Sequence, residues 1–319
     1  MSNRVFNLFR HPSNMVTALD HYGFLKWMGD RSYLCLKSCL VFGKPFNLNV
    51  PKTFNEKLNW LKLNDRNPLY TSMADKYVVK GLIIQLGIEG LHTARCYGVW
   101  SDFDEINFDE LPEQFVLKAT HDSSGATVCT DKANFDRRTA RKKFKRFLSL
   151  NNYWGSREWI YKDIPPRIIA EEYLDDGTEH ELTDYKFWCF NGEPKIMYVT
   201  NKGKEIYENF YDMDFVSVPV CHGFPRRSPE YECPVEFQRM KRYAAELSKG
   251  IPFVRIDFFS VKGKVYFGEF TFYDWAGMRP FSPESWDRKL GEWICLPLNE
   301  CRENVAIFDG KRISLNKKK

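Results

Sequence analysis

Several absences narrow what this 319-residue chain can do. No uninterrupted apolar run reaches the roughly 20 residues of a membrane-crossing helix, and the N-terminus lacks the apolar stretch of a signal peptide. The nine cysteines (35, 39, 96, 129, 189, 221, 233, 295 and 301) include no Cys-x-x-C pair. Their scatter and odd number point to reduced thiols in a cytoplasmic protein. Only Cys221-His222 brings two zinc-ligand types together, so a zinc site is not expected. The six histidines form no spaced motif, and neither a Ser-His-Asp nor a Cys-His constellation stands out; His121 alone merits watching for its position in a polar loop. There is no Walker phosphate loop and no internal repeat. A net charge of +5, with a pI near 8.6, suits an anionic substrate but is too weakly basic to argue for nucleic acid.

What remains is an ordinary globular composition, 43% hydrophobic and 16% aromatic, long enough for two domains or one divided one. Apolar clusters in residues 1–50 (Phe6, Leu8, Phe9; Leu25, Trp27, Met28; Leu34, Leu36, Leu40) predict packed helices. Thr53-Phe54-Asn55-Glu56 has the form of a capping box opening a helix with Leu58 and Leu61 on one face. A second helix is predicted from about Asp75 to Leu86, stopped by Gly87. Strand 114–119 ends on Lys118-Ala119, turns through a polar loop at 120–126 and resumes at Thr127. A basic helix at 134–149 reads as a solvated outer face. Strand 167–174, a hairpin at Asn191-Gly192 and a helix at 235–249 ended by Gly250 complete an α+β pattern.

Two runs near the end are the most informative. Residues 254–259 are β-branched and aromatic around Asp257, and residues 265–273 are built the same way around Glu269. A three-residue turn centred on Gly263 would place the two acids opposite each other. Facing like charges on an apolar hairpin call for a cation between them, and a hard divalent ion completed by phosphate and water is the usual one. Arg255, on the same face, favours an anion-plus-metal site over two acids on a wet edge. Lys118, ending a strand before a small polar loop, suits a phosphate whose oxygens are met by backbone N–H groups; an exposed lysine on a polar hairpin would give the same pattern.

These elements together resemble the ATP-grasp superfamily and, within it, the TupA-like family found with capsule and teichuronopeptide synthesis. The resemblance spans nearly all of residues 40–300. It rests on Pro51-Lys52-Thr53-Phe54-Asn55-Glu56-Lys57-Leu58, Ala74-Asp75-Lys76-Tyr77, Phe115-Val116-Leu117-Lys118, Asp184-Tyr185-Lys186-Phe187 with Phe190-Asn191-Gly192, and Arg255-Ile256-Asp257-Phe258 with Gly268-Glu269-Phe270-Thr271. It implies an ATP-grasp fold: a helical N-terminal region (1–114), a small β-rich lid (115–185) and a C-terminal mixed sheet (186–319) carrying the metal site. It assigns Lys76 and Lys118 to ATP phosphates, with Lys118 also bordering the adenine, and the loop bearing Ser123, Ser124 and Gly125 to the triphosphate. Glu171, Glu172 and Leu174 would form the adenine hinge, and Asp176 or Glu179 would take the ribose hydroxyls. Lys186 would reach the β- and γ-phosphates, Arg255 the transferring phosphoryl group, and Asp257 and Glu269 would hold Mg²⁺. Thr271 stands where many relatives place a metal-ligating Asn, with Asp274 or water as substitutes.

The activity implied is ATP-dependent joining of an amino acid to a uronic acid of a bacterial surface polysaccharide or its precursor. A glycosyltransferase reading rests on the Asp212-Met213-Asp214 triplet, which a surface turn would equally explain. A kinase on the same fold would use the same lysines and acids to phosphorylate a hydroxyl. A non-catalytic ATP-binding protein is the reading if Thr271 proves disabling. The expected location is cytoplasmic. The basic helix and the Lys317–Lys319 tail would suit peripheral contact with an anionic membrane or a lipid-linked glycan, although a solvated tail fits as well.

Overall fold

The structure, a computed structural model, describes residues 12–21, 23–121, 126–177, 182–201, 205–297, 305–308 and 311–314. In chain order the strands are β1 (Leu91–Thr93), β2 (Cys96–Trp100), β3 (Phe115–Ala119), β4 (Ala126–Cys129), β5 (Ile168–Glu172), β6 (Asp184–Phe190), β7 (Glu193–Thr200), β8 (Glu208–Tyr211), β9 (Ser217–Val218), β10 (Phe253–Val261), β11 (Lys264–Thr271), β12 (Val305–Phe308) and β13 (Lys311–Ser314). The larger sheet has the order β1-β11-β10-β6-β7-β8-β9, antiparallel except that β1 runs parallel to β11. A smaller antiparallel sheet has the order β2-β5-β3-β4, and β12 pairs with β13. Strands alternate with helices in mixed order, as the α+β pattern predicted. The small sheet recruits β2 from before residue 115, while β6 opens the segment that builds most of the large sheet.

Helix Phe54–Asn64 starts where the capping box predicted: Thr53 Oγ1 accepts from the Glu56 amide at 3.3 Å, and Glu56 Oε2 accepts from the Thr53 amide at 3.1 Å. Phe54, Leu58 and Leu61 face the large sheet. Phe54 stacks on Trp188 at 4.9 Å and meets the edge of Phe253 at 4.9 Å, which fixes the helix over the strands that carry the acids.

Four expectations need correcting. The second helix begins at Val78, not Asp75, because the Asp75 carboxylate accepts from the amides of Tyr77 and Val78 and ends the preceding segment. Lys76 therefore sits ahead of that helix. Near the N-terminus, Tyr33 and Leu34 are buried with Val16, but Trp27 is 78% exposed in the turn between two helices. Phe6, Leu8 and Phe9 lie outside the described residues. Leu36 and Leu40 also face outward. Finally, the β10–β11 turn has two residues, not three: Val261 pairs with Lys264, and Lys262 and Gly263 take φ of 49° and 77°. The basic helix, Arg137–Leu148, buries Ala140 and Phe144 while Arg141 and Lys145 both pair with Asp104 on its solvent side.

Candidate active site

Adjacent strands bring three of the predicted residues, Lys186, Asp257 and Glu269, into one row with Tyr198. Tyr198 on β7 lies beside Lys186 on β6, Lys186 beside Asp257 on β10, and Asp257 beside Glu269 on β11. A two-residue turn alone would have paired Asp257 with Gly268. One extra residue, Gly268, bulges between the pairs Phe258–Phe267 and Asp257–Glu269 and restores the opposition of the acids. Glycine suits this position, since a Cβ would stand a tight 3.0 Å from the Asp257 carbonyl oxygen.

The cation between the two acids is Arg255. Its Nε and Nη2 donate to Asp257 at 2.7 and 2.8 Å, Nη2 also reaches Glu269 Oε1 at 2.8 Å, and Nη1 donates to Asp274 and, at 3.2 Å, to the Tyr198 hydroxyl. Lys186 donates to Asp257 and lies 3.3 Å from Asp184. Lys76 completes the ring, 3.3 Å from Glu269 Oε2, with its amide donating to Thr120 at the end of β3. Burial works against both Arg255 and Lys186 as cations, but the surrounding carboxylates win and hold each protonated beyond its ordinary range. Glu269 is the converse: burial favours its neutral form, yet Lys76, Arg255 and Lys186 hold it ionised well below the usual carboxylate range.

Lys118 projects from the small sheet toward this cluster. It pairs at 2.5 Å with Glu171, which also takes Lys80 at 2.8 Å. Two lysines outweigh burial and hold the Glu171 carboxyl at about 2. The Glu171 carboxylate is therefore committed to Lys118 and Lys80, and an adenine at this hinge would meet backbone groups instead. Glu172 accepts from the Arg95 amide at 3.1 Å; Leu174 and Asp176 are half-buried farther along the same segment. Ser123, Ser124, Gly125 and Glu179 lie outside the described residues.

Facing carboxylates on adjacent strands supply the hard oxygen donors Mg²⁺ requires, provided phosphate and water complete its shell. No group of three or more His, Cys, Asp or Glu side chains suited to a metal stands among the described residues. An ion held here would take two ligands from Asp257 and Glu269, in exchange for part of their contact with Arg255, and the rest from phosphate and water. Thr271 donates its hydroxyl to Glu269 Oε1 at 3.3 Å, so it holds the neighbouring acid.

Beyond β11 the chain makes a strained turn. Trp275, Ala276 and Gly277 have φ of 47°, 55° and 57°, and for the two non-glycine residues this costs roughly 1–2 kcal/mol each. Helix Phe54–Asn64 holds the turn. Asn55, Asn59 and Lys62 share one helix face and donate to the carbonyls of Arg279 (3.0 Å), Gly277 (2.8 Å) and Ala276 (2.6 Å). The Asn-Glu-Lys-Leu motif thus begins a helix whose polar face fixes the segment carrying Asp274, Arg255's fourth partner.

Other candidates have structural roles. Asp212 Oδ1 accepts from the amides of Asp214 and Val216 at 2.9 and 2.8 Å, tying the triplet into a surface turn between β8 and β9. His121 is buried, with Nε2 3.1 Å from the Phe147 carbonyl. His222 is buried too, stacked on Phe281 at 4.1 Å with Nδ1 3.4 Å from Asp274.

The family model for TupA-like ATPgrasp matches residues 56–295. No curated protein matches the chain. Among solved structures, D-alanine--D-alanine ligase from Bacillus anthracis complexed with ATP is 16% identical, with 62% of this chain and 54% of that chain covered and a TM-score of 0.38. ATP-grasp ligase PsnB complexed with minimal precursor is 11% identical, with coverages of 80% and 66% and a TM-score of 0.38. D-cycloserine synthetase DcsG is 17% identical, with 64% of each chain covered and a TM-score of 0.35. The chain spans little more than half the length of the first of these structures.

Proposed function

From the premise that this chain belongs to the TupA-like ATP-grasp family, we propose that it is an ATP-dependent carboxylate–amine ligase. Its substrates are an amino acid or other amine and a uronic acid of a bacterial surface polysaccharide or its precursor. Bound ATP with Mg²⁺ would supply the γ-phosphoryl group. A carboxylate oxygen attacks the γ-phosphorus as the bond to the ADP oxygen breaks, giving an acyl phosphate. The amine nitrogen then attacks the acyl carbon, phosphate departs with that oxygen, and the nitrogen loses a proton.

The observation that carries this reading is the four-strand row with Arg255 between its two acids. Phosphoryl transfer asks mainly for positioning and charge neutralisation. The row supplies both without a nucleophilic side chain. Asp257 and Glu269 would hold Mg²⁺, while Lys76 and Lys118 neutralise the phosphates. Lys186 and Arg255 would face the group in transit, and Asp274 and Tyr198 keep the guanidinium oriented. The polysaccharide setting follows from the family resemblance, and a cytoplasmic site of action from the scattered, odd-numbered cysteines. No helix among the described residues is long and apolar enough to cross a membrane; the contact proposed with a membrane or lipid-linked glycan is a peripheral one.

The test is ADP release against a matrix of uronic-acid sugars and amino acids. ADP and phosphate should accumulate in equal amounts only where acid and amine are both present. A phosphorylated sugar would identify a kinase, and transfer from a nucleotide sugar without ATP would identify a glycosyltransferase; either overturns the proposal.

A further inference from the structure

Lys76 and Lys118 belong to different parts of the fold, and a closed ring of contacts joins those parts beside both of them. Lys76 lies in the short break between helices Leu69–Ala74 and Val78–Leu86. Lys118 is on β3, two residues before Thr120. The Lys76 amide donates to the Thr120 carbonyl at 3.2 Å, and the Thr120 amide donates to the Arg167 carbonyl at 2.9 Å. Arg167, just ahead of β5, donates through Nη2 to Asp75 Oδ2 at 2.7 Å, and Asp75 is the residue before Lys76. The ring is anchored from outside as well. Asp75 is buried, and its Oδ1 accepts from the amides of Tyr77 and Val78 at 2.9 and 3.3 Å. Thr120 Oγ1 donates to the Pro165 carbonyl at 3.1 Å, and the Arg167 guanidinium lies 5.0 Å from the centre of the Tyr77 ring.

Holding the start of a helix takes one oxygen of a capping side chain, and an uncharged one suffices. The second oxygen of Asp75 does something else. It ties the break that carries Lys76 to the end of the small sheet, at the point where the polar loop after β3 begins. A lysine side chain is long and pliant, so where its ammonium reaches depends on where its backbone is held. The Lys76 ammonium stands 3.3 Å from Glu269 on the large sheet, while its backbone is fastened to the small one. We propose that Arg167 is a positioning residue, acting through Asp75 to hold Lys76 at a fixed separation from Lys118 so that both ammonium groups meet one triphosphate. Charge fixed in advance stabilises most, because nothing has to move when the phosphoryl group does. Direct contact between Arg167 and phosphate fits the geometry less well, since Nη2 is committed to Asp75 and Nε is buried without a partner. The inference rests on the ATP-dependent reading of the site and adds to it a residue outside the row of acids.

The experiment is a double-mutant cycle. ATP with Mg²⁺ is titrated by calorimetry into wild type, Arg167→Ala, Lys76→Ala and the double variant, with thermal midpoints followed in parallel. Arg167→Ala should weaken ATP binding about five- to tenfold, and that loss should disappear in the Lys76→Ala background, because Arg167 acts through that lysine. Lys118, Lys186 and Arg255 remain in the double variant and keep its affinity measurable. Asp75→Asn retains an oxygen for the helix amides but loses the charge, so it should weaken ATP binding as Arg167→Ala does. Arg167→Lys, still able to bring a charge to Asp75, should recover most of the affinity. If Arg167→Ala does not fold, Arg167→Gln takes its place with the same expectation. A merely structural role would lower the thermal midpoint and leave ATP affinity unchanged, which overturns the proposal. Equal losses of affinity in both backgrounds, as direct contact with phosphate would give, overturn it too. Wild-type protein that does not bind ATP would remove the ATP-dependent reading and the proposal together, whereas ATP binding without the coupling removes the proposal alone.

Discussion

Replacing Asp257 by Asn keeps shape and removes one charge from a ring of three cations (Lys76, Lys186, Arg255) and four carboxylates (Asp184, Asp257, Glu269, Asp274). The Asp257 side chain is almost fully buried and receives both Arg255 donors and the Lys186 ammonium. An amide nitrogen would face those donors, so Arg255 and Lys186 would each lose a buried carboxylate contact, Arg255 keeping Glu269 and Asp274 and Lys186 keeping Asp184. Breaking a buried pair in this way costs on the order of 3–5 kcal/mol. For a chain of this size that is a fall of roughly 10 °C in thermal midpoint. Two facing like charges by themselves would be relieved by losing one; Arg255 lying between them reverses the sign. Turnover should fall about 10²–10³-fold, since charge on the phosphates would be poorly neutralised. Glu269→Gln is the informative partner. Its side chain is 30% exposed, so its stability loss should be smaller while its rate loss is at least as large. Steady-state ADP release and thermal midpoint, each with and without Mg²⁺, read both quantities. An Asp257→Asn variant with wild-type turnover, still stabilised by Mg²⁺, would refute the reasoning.

Three further outcomes follow from the same geometry. Lys118→Ala and Lys186→Ala should each weaken ATP binding in calorimetry without unfolding the chain, because Glu171 keeps Lys80 and Asp257 keeps Arg255; unchanged affinity in both would exclude this triphosphate site. Gly268→Ala should lower activity and thermal midpoint together, as its Cβ meets the Asp257 backbone at the bulge; wild-type behaviour would mean that the bulge does not place the acids. Glu208, fully buried with one carboxylate oxygen unpartnered, has its carboxyl pushed up to about 7 by burial. A raised folded pKa means stability that is full below the unfolded value and lost as pH rises through 7. Glu208→Gln should therefore stabilise at pH 8, by up to about 3 kcal/mol, and have little effect near pH 4.5. Denaturant melts at the two pH values check this, and equal effects at both would contradict it.

The row of active-site residues was readable in part because strand alternation and turn chemistry are local. Asp257, Glu269 and Arg255 share a face by period, and Asn191-Gly192, with φ of 53° and 88°, closes its hairpin as such a pair should. The bulges were not readable. Gly268 reproduces the register that a longer turn would have given, so the expected pairing is present for a different reason. Lys195, left unpaired between Pro194 and Ile196, shifts Tyr198 opposite Lys186; an unbroken register would have put Met197 there, and the tyrosine drew no notice. The arrangement of Asn55, Asn59 and Lys62 was missed because a polar stripe at helical spacing reads as solvent-facing. Only the tertiary fold shows that it faces the carbonyls of a strained turn more than 200 residues away. The pairing of Glu171 was not readable for a similar reason, since the lysine that joins it beside Lys118 is Lys80, on a helix from another part of the chain.

The claim that a carboxylate attacks the γ-phosphorus is tested most directly by isotope transfer. The uronate that supports ADP release is prepared with ¹⁸O in its carboxyl group, and the phosphate formed in a complete reaction is examined by mass spectrometry. The account predicts one ¹⁸O atom in each phosphate released and one retained in the amide. Unlabelled phosphate, or label remaining entirely in the sugar, would contradict it.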